Sequence, residues 1–406
     1  MQIGTRLARC FIFQKICCSE TKLTRQNILF KSNLSGFVML LGIFGTGRNG
    51  STMLMRLLDG SPGIWIFPYE LSYLRDLYPE LYRVEIRQKN SELLLKIPIL
   101  KRYALDKKKI FFEWSKRLFE EIESEFLPLV VGEVVNNNEA IEEFRQNIGK
   151  SIQEDFIELL EAGRKSYDRR KCETLPHLAF KSAETDELHR YVKLFPDMRF
   201  LHIIRDPWVT FSSMKRTVIL SKKKPMWYGG LDQLQEFLER RWIPHARFIL
   251  EILAADNPNH YLVKYEKLCE DPKRVLGDIC KWLDIPLPPD PGLMTIFGGR
   301  RFRKMPKSSS QKEIENPERI TIMSDKFQYR DVLTERERDF ILTRAYDLIL
   351  QMGYLSSGGR EGLPSKMGQA MKWLTIDEWD YLNSISKWDV AKNLVKKRVY
   401  VLGKLL

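Results

Sequence analysis

The stretch "FVMLLGIFGTGRNGSTMLMRLLD", residues 37–59, constrains the fold more than any other. Phe37 to Phe44 is an unbroken, β-rich apolar run, the pattern of a strand buried on both faces of a parallel sheet. A glycine loop follows, and "STMLMRLLD" then reads as a helix. In that order, loop amides and the positive end of a helix dipole converge on one point, which suits an anion. Gly45, Gly50 and Thr52 fit the nucleotide loop G-x-x-x-x-G-K-[ST], but Ser51 stands where the lysine belongs. That lysine reaches the β- and γ-phosphates, so its loss argues against metal-assisted ATP chemistry. Taken alone, the loop also fits a glycine turn that packs a helix on a strand.

A second anion signal lies in "LFPDMRFLHIIRDPWVTFSSMKR", residues 194–216. An apolar strand leads to Arg205, Asp206-Pro207 turns the chain, and Ser213 follows in the next helix. Arg205 and Ser213 therefore meet at the C-terminal end of a strand, where open α/β sheets bind ligands. Together they suit a dianionic phosphate, the arginine by a forked contact and the serine by its hydroxyl. The alternative is that Arg205 pairs with Asp206 or another nearby carboxylate.

The rest of the chain alternates in the same way and predicts an α/β fold, a P-loop-type parallel sheet flanked by helices. "IWIF" (Ile64–Phe67) is a strand ending at Pro68, and "HYLVKYE" (His260–Glu266) is another. "DPKRVLGDICKWLDI" is an amphipathic helix with Val275, Ile279 and Leu283 on one face. Thr334 and Glu337 form a capping box for a helix that closes at Gly353. Residues from about 75 to 175 are charged and helical in period, and read as an insertion in the domain spanning 37–355. Residues 1–36 form a basic extension, with an organellar transit peptide as one reading. Residues 356–406 are a linker and a basic amphipathic helical tail. That tail either packs on the domain or meets an anionic membrane surface.

The chain carries 66 Lys and Arg against 53 Asp and Glu, a formal charge of +13, which favours anionic partners. No zinc-finger spacing, RNA-binding sheet motif or arginine-rich array points to nucleic acid. The six cysteines contain no C-x-x-C pair and read as reduced, as in a cytoplasm. No apolar run is long enough to predict a transmembrane helix.

The strand–"GTGRNGST"–helix unit resembles the 5′-phosphosulfate loop of the sulfotransferase family, G-x-x-R-S-G-[TS]-[TS]-x-L. "RDPWVTFSS" resembles that family's 3′-phosphate motif, R-D-P-x-x-x-x-x-S. "VKYEKLCEDP" leading to "GDICKWLDI", "SDKFQYRDVLTERERDFI" and "QMGY" resemble later segments in the same order, so the likeness runs from Phe37 to Tyr354. This chain departs from the pattern at Asn49, Trp208 and Tyr329. The resemblance implies transfer of a sulfuryl group from 3′-phosphoadenosine 5′-phosphosulfate (PAPS) to an acceptor hydroxyl, without a metal.

Such a transfer needs a base, cations for the developing charge and an in-line geometry. Glu70 follows a short strand and a proline, at a strand end facing the loop. The resemblance to glycan and tyrosyl-protein members also implies a glutamate base there; a helix N-terminal glutamate is the structural alternative. Members acting on phenols and sterols use a histidine, for which His177 is the candidate. Arg48, inside the loop, and Lys181, after an apolar triplet, are the catalytic cations. The nucleotide ligands implied are Gly47, Arg48, Asn49, Gly50, Ser51 and Thr52 in the loop, with Arg205, Ser213, Arg216 and Tyr265 outside it. The basic run "LKRYALDKKKIFFEWSKR" suits a carbohydrate or glycolipid acceptor, or is simply a solvated helix face. The rivals to a sulfotransferase are a P-loop kinase and a non-catalytic basic binding module.

Overall fold

A computed structural model describes residues 39–77, 107–131, 138–147, 151–168, 170, 177–183, 185–220, 231–302 and 332–355. Its centre is a five-stranded, all-parallel sheet. The strands are β1 (Leu40–Phe44), β2 (Ile64–Glu70), β3 (His177–Ser182), β4 (Arg199–Ile204) and β5 (His260–Lys264), in the spatial order β2-β3-β1-β4-β5. The chain leaves β1 towards one edge and later returns to build the other. The crevice beyond the C-terminal end of β1 is therefore a topological switch point, the usual ligand position in such sheets.

The two faces of the sheet are buried by different chemistry. Leu41 and Ile43 of β1 pack with helix α1 (Ser51–Leu58) and with Val275, Ile279 and Leu283 of a later helix, Pro272–Leu283. That helix is capped by Asp271, whose carboxylate accepts from the Arg274 amide. Phe44 faces the other way, into an aromatic layer with Phe180, Tyr191 and Phe200. The insertion contributes Phe156 to this layer, 4.8 Å from Phe180 and edge-on to it. Its described helices are Lys107–Phe126, Asn138–Asn147 and Ile152–Tyr167. The last of these passes so close over β2 that a Cβ at Gly163 would stand 2.9 Å from Trp65 and Phe67.

Two strand ends differ from expectation, and both differences matter. Strand β2 runs through Pro68 to Glu70. It tolerates the proline because it is an edge strand whose register slips between Ile66 and Glu70. Strand β5 ends at Lys264, and Tyr265 is the first residue of a short helix, Tyr265–Glu270. The capping box at Thr334 forms as read, and its helix, Glu335–Gln351, closes at Gly353 with φ 70°.

Along strands β4 and β5, three imidazoles line up, with His202 and His245 buried and His260 half-buried. His202 Nε2 lies 2.9 Å from His260 Nδ1, and His245 Nε2 lies 3.4 Å from His202 Nδ1. Burial drives all three towards the neutral form: His245 falls to about 3, His260 to about 4, and His202 well below its ordinary value.

The basic extension, the C-terminal tail, the "SDKFQYR" segment and residues 100–106 of the basic run lie outside the described residues. Cys269 and Cys280 are buried free thiols; the other four cysteines also lie outside. Among the described residues no helix is long and apolar enough to cross a membrane.

Candidate active site

The loop after β1 is shaped by Asn49. Its side chain is fully buried, its Nδ2 donates to the Ile203 carbonyl at 2.6 Å, and its Oδ1 accepts from the Ser51 amide at 3.2 Å. The position read as a nucleotide ligand is thus spent inside the loop. Of the amides from Gly47 to Ser51, those of Asn49 and Ser51 already donate internally. Gly50 is required on two counts. Its φ is 95°, and a Cβ there would stand 2.3 Å from the Tyr265 ring. Arg48 also takes a left-handed conformation, with φ 68°, a strained state that clusters at functional sites.

Arg48, Arg205, Ser213 and Tyr265 come together on the β4–β5 side of the loop. Arg48 Nε donates to Ser213 Oγ at 3.4 Å, and Arg205 Nη1 donates to the Arg48 carbonyl at 3.1 Å. The Arg205 guanidinium lies 4.0 Å from the centre of the Tyr265 ring. Asp206 does not pair with it. That carboxylate caps the next helix, Pro207–Leu220, by accepting from the amides of Trp208 and Val209. Among the described residues neither Arg48 nor Arg205 has an ion-pair partner, and Arg205 Nε is a buried donor without an acceptor. Burial, and then the charge of Arg205, push the Arg48 pKa down. Two crowded cations with an orphaned donor fit an anionic group of the size and charge of a phosphate. Arg216 lies on the same helix, just under one turn beyond Ser213.

Glu70, Lys181 and Thr52 meet on the opposite side. The strand register sets Glu70 against Lys181. The Lys181 ammonium donates to the Glu70 carboxylate and, at 3.0 Å, to Thr52 Oγ1. The lysine side chain is only 7% exposed, whereas that of Glu70 is 37% exposed, so the carboxylate is the member open to a ligand. Thr52 is exposed and Ser51 buried, which leaves Thr52 as the hydroxyl at the mouth. His177 is elsewhere. It is the first residue of β3, at the end of the sheet remote from the loop, and its Nδ1 accepts from the Met39 amide at 3.1 Å.

Two features escaped the sequence reading. Glu266 accepts from the Asp206 amide at 3.0 Å and ties the β4 exit to the β5 exit. Trp242 Nε1 donates to the Arg205 carbonyl at 2.9 Å from a distant helix. Among the described residues no cluster of His, Cys, Asp and Glu is arranged to hold a metal ion.

A family model described as "Sulfotransferase family" matches residues 41–289. Several solved structures are similar at low identity. The sulfotransferase domain from the Synechococcus PCC 7002 olefin synthase is 20% identical, over 61% of this chain and 73% of its own, with a TM-score of 0.36. The sulfotransferase domain from the curacin biosynthetic pathway is 18% identical, over 79% of this chain and 99% of its own, with a TM-score of 0.41. A sulfotransferase from Alicyclobacillus acidocaldarius is 13% identical, over 68% of this chain and 86% of its own, with a TM-score of 0.33. No curated protein matches the sequence.

Proposed function

The chain belongs to the sulfotransferase family, and on that premise we propose that it moves a sulfuryl group from PAPS to an acceptor hydroxyl, with Glu70 as the base. The observation that carries this reading is the pair of arginines without ion-pair partners among the described residues, Arg48 and Arg205, facing a separate Glu70–Lys181–Thr52 cluster across one loop. The first cluster suits the non-reacting 3′-phosphate and the second suits the reacting end.

In this reading Arg205, Ser213 and Arg216 hold the 3′-phosphate, and Tyr265 supports Arg205 from behind. The backbones of Gly47 and Gly50, with the Thr52 hydroxyl, hold the 5′ side, while Ser51 and Asn49 keep the loop in shape. Lys181 orients Glu70 and Thr52 together. Glu70 takes the proton from the acceptor hydroxyl as its oxygen bonds to sulfur. The bond from sulfur to the bridging oxygen breaks, and its electron pair stays on the 5′-phosphate of the departing adenosine 3′,5′-bisphosphate. Lys181 stabilises the charge that builds there, and Arg48 adds positive charge from the 3′-phosphate side of the loop.

The acceptor class belongs to the same proposal: a carbohydrate or glycolipid hydroxyl, supported by the basic run that begins at Leu100. A cytoplasmic location is supported by the two free thiols, and a peripheral membrane contact by the basic tail.

Thermal unfolding with candidate nucleotides tests the reading. Adenosine 3′,5′-bisphosphate without metal should raise the melting temperature, since it binds the folded state alone. Stabilisation by ATP with Mg²⁺ and not by the bisphosphate would sink it. A screen of hydroxyl acceptors with radiolabelled PAPS then tests the chemistry. With an acceptor in hand, Glu70→Gln should leave bisphosphate affinity intact and cut turnover on the order of 10²-fold or more.

A further inference from the structure

Residues 231–254 form one continuous helical run interrupted by six π-helical residues, Phe237–Trp242. Each π turn takes one residue more than an α turn and re-aims the side chains that follow, and such bulges are frequent at functional sites. Here the bulge holds two successive residues against the ligand crevice. The Trp242 indole donates to the carbonyl of Arg205 at the β4 exit. The Arg241 carbonyl accepts from Thr185 Oγ1 at 3.3 Å, just beyond the β3 exit. Strands β3 and β4 flank β1 on either side, so the bulge spans the mouth of the loop.

The Arg241 side chain reaches the loop itself. One of its terminal nitrogens lies 3.9 Å from where a Cβ on Gly47 would stand, close to the bare backbone that precedes Arg48. Arg241 is half-buried, its neighbour Arg240 is exposed, and among the described residues no carboxylate pairs with the Arg241 guanidinium. A half-buried guanidinium held at an anion cradle without a counter-charge points to an anionic ligand.

We propose that Arg241 is a further catalytic cation of this site, contacting the sulfuryl end of PAPS across Gly47. The proposal rests on the function argued above. Arg48 and Arg205 are turned towards Ser213, on the side assigned to the 3′-phosphate. Glu70 and Lys181 stand on the far side, where the acceptor proton leaves. Arg241 is anchored between the two, at the place where sulfur passes from the bridging oxygen to the acceptor oxygen. As the S–O bond to the 5′-phosphate breaks and its electron pair remains on the bridging oxygen, negative charge moves past this guanidinium. The proton released by the acceptor goes to Glu70, so Arg241 exchanges no proton and acts by charge and hydrogen bonding alone.

The test compares two ligands of the full chain that differ by the sulfuryl group. Dissociation constants for PAPS and for adenosine 3′,5′-bisphosphate are measured by calorimetry for wild type, Arg241→Ala, Arg241→Lys and Arg240→Ala. Arg241→Ala should weaken PAPS about tenfold and the bisphosphate less than about twofold, the size of one charge-assisted contact. Arg241→Lys should recover part of the loss, and Arg240→Ala should match wild type. Equal affinities in Arg241→Ala and wild type overturn the proposal. So does an equal loss for both ligands, which would place Arg241 on the nucleotide. Should Arg241→Ala unfold, Arg241→Gln replaces it under the same criteria. A wild type that binds neither ligand breaks the functional reading instead.

Discussion

Strand β4 carries two nitrogen-rich clusters that solve the problem of a buried cation in opposite ways. His202, in the middle of the strand, sits in a row with His245 and His260, and all three have given up their charge. Three residues further on, Arg205 meets Arg48, and neither has an ion-pair partner among the described residues. An imidazole sheds its proton when burial makes charge expensive; a guanidinium cannot. A fold that crowds arginines at a strand exit therefore keeps its positive charge and remains matched to an anion. A fold that crowds histidines a few ångströms deeper makes ordinary core from them. Proximity of cation-forming residues is thus no guide to function until the chemistry of each group is considered.

Removing the arginine should give the largest effect. Arg205→Ala should weaken adenosine 3′,5′-bisphosphate about a hundredfold, as expected for a forked, charge-assisted phosphate contact, and Ser213→Ala several-fold less. Calorimetric titration measures both. If Arg205→Ala binds as wild type does, the orphaned Nε has been misassigned and the contrast with the histidines collapses.

Acid should expose the other cluster. The histidines have lowered pKa values in the fold, so the unfolded chain binds more protons than the native one below about pH 6.5. Stability is complete above that value and is lost as the pH falls. His245, fully buried and held at about 3, removes up to about 2 kcal/mol between pH 6.5 and 5, and His202 acts in the same direction. Asp206 works with the opposite sign. Burial first, then the nearby charge of Glu266, push its carboxyl up to about 7, so the native chain keeps a proton that the unfolded chain loses near pH 4. That cancels about one histidine, and the remaining imidazoles leave a net loss of stability in acid. Urea unfolding at a series of pH values measures the slope, and His245→Leu should flatten it further. Stability that rises instead as the pH falls would leave only the Asp206 effect and show the imidazoles charged, like the arginines.

The smallest effect concerns the ring behind Arg205. Tyr265→Leu removes the face on which the guanidinium lies, and with it about 0.5–1 kcal/mol of cation–π attraction. Bisphosphate affinity should fall a few-fold, with a larger loss for Tyr265→Ala, since Gly50 would then lose the side-chain bulk it packs against. Unchanged affinity in Tyr265→Ala would make the ring mere packing.

Much of this was legible in the sequence, and for local reasons. The β1 run, the glycine loop, the Arg205 turn and the capped helix at Thr334 are each specified within a dozen residues, where periodicity and turn chemistry act. What was not legible depends on register and on long-range packing. Glu70 and Lys181 are 111 residues apart, and their pairing follows from the strand β2 continuing past Pro68, where its register slips. The inward turn of Asn49 depends on the Ile203 carbonyl of a neighbouring strand. Arg240 and Arg241 look alike in the sequence; the packing of their π-helical turn sets Arg241 near Gly47 and leaves Arg240 exposed. His202, His245 and His260 come from separate elements, with no spacing to betray their meeting.

The same slip in β2 has a consequence for the protein at high concentration. Among the described residues β2 is the last strand on its side of the sheet, and an unpaired strand edge invites a second chain to add to it, the first step of β-type aggregation. Pro68 offers no amide hydrogen to an incoming strand, and the irregularity between Ile66 and Glu70 breaks the spacing that a continuous ladder needs. A foreign strand docking here would find only a short regular stretch before the hydrogen bonds fall out of step. The bend that brings Glu70 to Lys181 therefore also guards the sheet against growing from this edge.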